Sequence, residues 1–561
     1  MYTPDLAPVA GSLLWSSLVA LLPLVTIFVT LGVLCWKAYW AGLAALAVAG
    51  FVAVLAYGMP IHLVGLSATQ GFAFGLFPIM WIVVNAIWLY ELTVRSGRFE
   101  DLRLVIDLIS DDPRVQAIII AFCFGGLLEA LAGFGAPVAI TGVMLMAVGF
   151  TAMRAASVVL IANTAPVAFG AIAIPIITAG NLTGIDYEHI GAVVGRQTPF
   201  LAALVPLFLV VLVDGRRGLR QLWPLAATVG VAFAVAQFVS SNWLSVELTD
   251  IVASLAGLAA AVLVLRVWKP SGGREALQRM DSERAHEDAD PVSPEAAGGG
   301  VATARRTTVA LTPTRVFLAL FPYLLVIAVF SLAKLWAPLT GWLAGTDVKI
   351  PWPGLDGNVF TPAGELSTST VYSLQWLSSP GTLLLVSGLV VALVYRMSGR
   401  DTLGVYRETV VKLRFAILTV GSVLALAYVM NQSGQTITIG SWIAGTGAAF
   451  AFFSPVLGWL GTAVTGSDTS ANALFATLQQ TAAEKAGIDP ALLVAANTSG
   501  GVVGKMISPQ NLTIAATAVG LVGRESDIFR KVIWWSVGML LALCLLVGLQ
   551  STVLSWMIPT P

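Results

Sequence analysis

The chain has 561 residues, 57% of them hydrophobic and only 11% charged, with 30 Lys+Arg balancing 30 Asp+Glu. A soluble protein carries roughly 25% charged residues, so the composition excludes a soluble domain and places the chain in a bilayer. Zero net charge gives no basis for a nucleic-acid partner and leaves the distribution of sign as the informative quantity.

Apolar runs long enough to span a bilayer lie at 13–34, 38–57, 66–92, 155–178, 191–213, 222–240, 248–268, 316–336, 379–395, 415–431, 490–511 and 532–557. A span needs about 20 such residues. Two further apolar stretches, about 116–152 and about 441–483, are too long for one span and interrupted in the middle. Each reads as two spans or as a hairpin that returns to its own side. Residues 269–314 turn polar and charged and read as a flexible cytoplasmic linker between an amino-terminal half, 1–268, and a carboxy-terminal half, 315–561. Residues 337–378 form an outer loop rich in Pro, Trp, Ser and Thr. Cys35, Cys123 and Cys544 are dispersed in apolar runs, and only His62, His189 and His286 occur, so no disulfide framework, metal or cofactor is expected. No basic segment precedes the first apolar run, so no removed signal peptide is expected. The positive-inside rule puts both termini outside, because the basic loops at 95–114, 214–220, 266–269, 396–414 and 524–531 then all lie in the cytoplasm.

One motif occurs twice. Ala162-Asn163-Thr164, Gly170 and Pro175 match Ala496-Asn497-Thr498, Gly504 and Pro509, and 497 − 163, 504 − 170 and 509 − 175 all equal 334. Each copy follows an interruption, Ala132-Gly133-Phe134-Gly135-Ala136-Pro137 in one half and Thr465-Gly466-Ser467-Asp468-Thr469-Ser470 in the other. On the charge-derived orientation the first stretch opens to the cytoplasm and the second to the outside. The copies are therefore antiparallel, an inverted repeat whose broken helices, about 155–178 and about 490–511, point to a transporter binding site.

A helix broken inside a bilayer leaves N–H and C=O groups that only protein or a polar ligand can satisfy. A carboxylate suits the N–H end of a half-helix. Gly133 and Gly135 let backbone approach a ligand, and Asn163, Thr164, Thr465, Ser467, Thr469, Ser470, Asn497, Thr498 and Ser499 supply polar groups. Arg196 and Lys505 are the cations placed to attract an anion, and Glu129 and Asp468 are the carboxylates placed to carry a proton. Packing, snorkelling of Arg196 and an N-cap role for Asp468 are the structural alternatives for the same residues.

The runs 125–137, 465–472 and 496–510 resemble the L-lactate permease family, and the likeness extends over nearly all spans. The resemblance implies a bacterial inner-membrane carrier that takes up L-lactate, often D-lactate or glycolate, with a proton. By fold-level analogy it also implies an all-α inverted-repeat protein with about 12 crossings and two re-entrant hairpins, working as an elevator. An intramembrane enzyme is the rival class, but the chain has neither His-Glu-x-x-His nor Gly-x-Ser-x-Gly. An anion channel, or a carboxylate carrier coupled to Na⁺, uses the same charges. Saturable counterflow separates carrier from channel.

Overall fold

Helix dominates, at 79% of the chain, because a backbone in hydrocarbon must close its hydrogen bonds within the segment. The computed structural model describes residues 1–34, 36–107, 109–131, 133, 135–288, 312–447 and 449–560. Cys35 and linker residues 289–311 lie outside the described residues.

The amino-terminal half runs α1 (Leu13–Leu31), α2 (Ala38–Leu55), α3 (Ile61–Arg95), the short amphipathic α4 (Arg98–Asp107), α5 (Pro113–Leu131), α6 (Ala136–Val148), α7 (Ala152–Ala162), α8 (Gly170–Thr183), α9 (Tyr187–Val194), α10 (Thr198–Leu244) and α11 (Thr249–Val267). After α12 (Gly273–Asp288), the other half runs α13 (Pro313–Leu335), the strands β1 (Val348–Pro351) and β2 (Val371–Leu374), α14 (Pro380–Val394), α15 (Gly399–Gln432), α16 (Gln435–Ile443), α17 (Ala449–Thr465), α18 (Asp468–Ala486), α19 (Pro490–Gly504), α20 (Pro509–Ala518) and α21 (Glu525–Gln550).

Nine helices among the described residues are long and apolar enough to cross a membrane, or ten if the bent pair α7 and α8 is one span. The expectation of about 12 assigns α5 to the first hairpin, divides the 47-residue α10 at its kink, Asp214-Gly215, and also counts the 15-residue α14 and the α19–α20 pair.

The 334-residue step governs the fold as well as the motif. Leu131 ends α5 and Thr465 ends α17, and 465 − 131 is 334. Packing is reciprocal between equivalent elements. Helix α6 meets α20 as α18 meets α8, and α7 meets α21 as α19 meets α9. Likewise α14 packs on α3 as α15 packs on α2. Mutual exchange of this kind is the signature of a two-fold relation.

The two ends of the bundle differ. At one, Tyr2 Oη donates to the Tyr57 and Ser433 carbonyls, and Thr438 Oγ1 donates to Leu6 O. The β1–β2 ribbon of the outer loop covers the same end, with Tyr372 Oη donating to Phe77 O at 2.6 Å. Residues 449–486 form one helical hairpin and residues 113–148 another, and near the latter's base Asp101 pairs with Arg98 and Arg315.

The linker opens with a helix where it is described. Helix α12 docks on the base of the first hairpin. Buried Arg114 binds Asp112 at 2.8 Å and Asp214 at 3.0 Å and donates to Ser271 O at 2.7 Å, while Arg279 reaches Asp214 at 2.9 Å. Ala276 and Met280, four residues apart on one face of an otherwise charged helix, are buried there. Two apolar residues in such a sequence are too few to register as a periodic stripe.

Candidate functional site

The site forms where one hairpin tip and two helix breaks meet. Helix α5 carries Glu129 to the tip, where Gly133 and Gly135 adopt φ of 45° and 84°. Those left-handed values favour glycine, and a side chain at Gly135 would also strike Ile514. Beyond α7, Pro166 has no N–H to give and its ring excludes the helical path, so 163–169 leave the α-helix. The chain then makes a left-handed turn, with φ of 46°, 59° and 56° at Ala171, Ile172 and Ala173. A Cβ at Gly170 would lie 2.9 Å from Glu129 Oε1, so glycine leaves room for the carboxylate.

The second break sits elsewhere. The position equivalent to Pro166 is Gly500, which keeps its N–H, and α19 continues unbroken through Asn497 and Thr498 to Gly504. It breaks only at Lys505–Ile507, where Ser508 caps α20 ahead of Pro509. The expectation that both Asn-Thr pairs lie at breaks is thus corrected for the second copy.

Lys505 stands at this second break and crosses to the other repeat. Its Nζ meets Glu129 Oε1 at 2.5 Å, with 3% of Glu129 and 8% of Lys505 exposed. Lys505 also lines a tight pocket, closed to a water molecule as it stands, with Val138, Leu160, Asn163, Thr164, Met506 and Asn511. Both repeats and the hairpin therefore contribute to one cavity. Asn163 Oδ1 has no hydrogen-bond partner.

Asp468, 3% exposed, is in the first turn of α18, and its N-cap is Ser467 rather than Asp468 itself. Thr462 donates to Asp468 Oδ1 at 3.4 Å, Oδ2 is unpartnered, and Lys505 is within electrostatic reach. Gly501 lets the carboxylate lie against α19, since a Cβ there would overlap it.

Other expected site residues are committed to holding the structure together. Thr465 donates to Gly461 O, and Ser467 Oγ accepts from Ser470 N–H, so both fold the second tip. Thr469 and Ser470 are buried beside it but do not line the cavity. Asn497 donates to Asn472 Oδ1 at 2.9 Å, Thr498 shares the same Asn472 at 2.9–3.0 Å, and Ser499 donates to Gln197 at 2.7 Å. Arg196 lies outside the cavity, its guanidinium 5.9 Å from the Phe238 ring centre.

Sequence reasoning passed over Asp250, Gln237, Asn472 and Asn511. Asn472 donates to Pro175 O at 3.2 Å and so ties the two repeats together. Gln237 donates to Ala165 O at 3.2 Å, a carbonyl freed by the first break. Asn511 joins the cavity, bonded to Ser508 Oγ at 2.8 Å. Asp250 opens a span, where an acidic residue reads as an interfacial cap, yet it is fully buried.

Residues 16–554 match the family model described as L-lactate permease. The chain is similar to an L-lactate permease of Bacillus subtilis, 43% identical with 100% of both chains covered. It is equally similar to glycolate permease GlcA of Escherichia coli, 43% identical with 94% of each covered, and to an L-lactate permease of the same organism, 42% identical with 98% of each covered. Among solved structures it resembles Neisseria gonorrhoeae MtrF, described with a class of antimetabolite efflux pumps, at 14% identity. That match covers 94% of this chain and 98% of the other with a TM-score of 0.46.

Proposed function

The chain belongs to the L-lactate permease family, and we propose that it imports L-lactate, with D-lactate and glycolate, across the bacterial inner membrane by proton symport. Both termini face outward in this reading. One observation carries it: a single buried ammonium, Lys505, serves both Glu129 and the cavity. An incoming carboxylate and Glu129 then compete for that cation. Asn163, Thr164 and Asn511 offer hydrogen bonds to the substrate's carboxylate and neighbouring hydroxyl.

Competition supplies the coupling. A carboxylate displaced from its cation while buried is costly, whereas its protonated form is not. Substrate on Lys505 therefore goes with a proton on Glu129. The empty carrier, with Lys505 paired to Glu129, and the carrier loaded with anion and proton have the same charge at this pair. A carrier holding the anion alone bears one extra negative charge and stays put. Asp468 sits close enough to Lys505 to tune the exchange.

The test is lactate-driven proton uptake in proteoliposomes holding the purified protein. Acidification of the lumen with lactate entry is expected. Uptake that ignores collapse of the pH gradient at zero membrane potential, or that requires Na⁺ instead, would refute symport with protons.

A further inference from the structure

Asp250 is fully buried, and neither of its carboxyl oxygens has a hydrogen-bond partner. Its place follows from close packing of α11 on the first hairpin. Gly126 admits Ser254 and Gly257 lies against Cys123, which sets α11 antiparallel to α5 and brings the start of α11 level with Glu129. Glu129 and Lys505 are within electrostatic reach of Asp250, and Gln237 faces it from α10. Of the other segments packed against α11, 118–124 and α8 bring no charged residue, and the helix's own Arg266 is at its far end. Three buried carboxylates, Glu129, Asp250 and Asp468, thus lie within electrostatic reach of one ammonium, and Lys505 is committed to Glu129.

A buried acid without a cation of its own is most cheaply kept neutral. A helix amino terminus stabilises a carboxylate, yet here no backbone N–H bonds to either oxygen. We propose that Asp250 is a second proton-carrying residue of the transport site, one that hands its proton to Glu129 when a substrate carboxylate takes over Lys505. The O–H bond on Asp250 breaks and an O–H bond forms on Glu129 Oε2, the oxygen that Lys505 leaves unpartnered. Asp250, now a carboxylate without a counter-charge, draws the coupled proton from the medium. The transfer goes directly or through one water. This inference rests on proton symport.

The experiment uses Asp250→Asn and Asp250→Glu in proteoliposomes, with labelled L-lactate and two readouts. Counterflow exchanges lactate without net proton movement, whereas accumulation driven by a pH gradient requires it. For Asp250→Asn the expected split is at least about tenfold loss of accumulation with less than about threefold loss of counterflow. Asp250→Glu is expected to restore accumulation with a displaced pH profile. Equal loss of both readouts in Asp250→Asn, or no loss in either, overturns the proposal. If Asp250→Asn fails to fold, Asp250→Glu decides, because an unaltered pH profile there overturns it as well. Wild-type protein that shows no pH-driven accumulation refutes the symport reading itself, which separates the two failures.

Discussion

The two Asn-Thr pairs share a sequence and a place in the repeat, yet they do different work. Asn163 and Thr164 stand at a break and line the cavity, with Asn163 Oδ1 unpartnered. Asn497 and Thr498 are inside a continuous helix and fully engaged, both through Asn472, with Gln479 adding a bond to Asn497 Oδ1 at 3.4 Å. One proline decides it, Pro166 against Gly500. Charges are divided in the same way, since the equivalent of Lys505 is Ala171 and that of Glu129 is Ala463. A two-fold frame thus holds a one-sided site: one repeat offers the open backbone and the other the cation.

This asymmetry can be broken experimentally, and the largest effect is expected at Lys505. Lys505→Met leaves Glu129 without its counter-charge and the substrate without a cation. Losing about 3 kcal/mol of interaction lowers lactate uptake at subsaturating concentration roughly 100-fold. Glu129→Gln comes next. It frees Lys505 permanently, so net proton-driven uptake is expected to fall by more than about tenfold while counterflow falls less. The Asn pair then tests the comparison itself. Asn497→Ala leaves buried partners unmet at a cost of about 1–3 kcal/mol, expected as a lower thermal midpoint in detergent. Asn163→Ala is expected to raise the lactate KM about threefold to tenfold, equivalent to one hydrogen bond of about 1 kcal/mol, with the midpoint unmoved. If the two substitutions behave alike, the functional division between the copies is wrong. The smallest effect is expected for Arg196→Gln, which gives up a cation–π contact of about 0.5–1 kcal/mol and changes the lactate KM less than about twofold.

Much of the architecture was legible in the sequence because membrane helices and their interruptions are written locally. The step of 334, the glycine-rich tips and the rare charges Glu129, Lys505 and Asp468 could all be read directly. Pairing was not legible, since Glu129 and Lys505 are 376 residues apart and nothing local couples them. Asp250 escaped because an acid at the edge of an apolar run looks interfacial until the neighbouring helices bury it. The second Asn-Thr pair misled because the motif was read without the residue three positions on, where Pro166 in one copy is Gly500 in the other.

The left-handed turn at Ala171, Ile172 and Ala173 has an energetic meaning. Each residue of that hand costs an L-amino acid about 1–2 kcal/mol, so three in a row hold about 3–6 kcal/mol. That is of the order of the net stability of a small domain, about 5–15 kcal/mol. The surrounding helices must supply it, through contacts such as Asn472 on Pro175 and the close seat of Glu129 against Gly170. The backbone beside the cavity is therefore under load. The few hydrogen bonds a small anion can make act against a stored energy of similar size, so even a weakly bound ligand has leverage over the shape of the carrier.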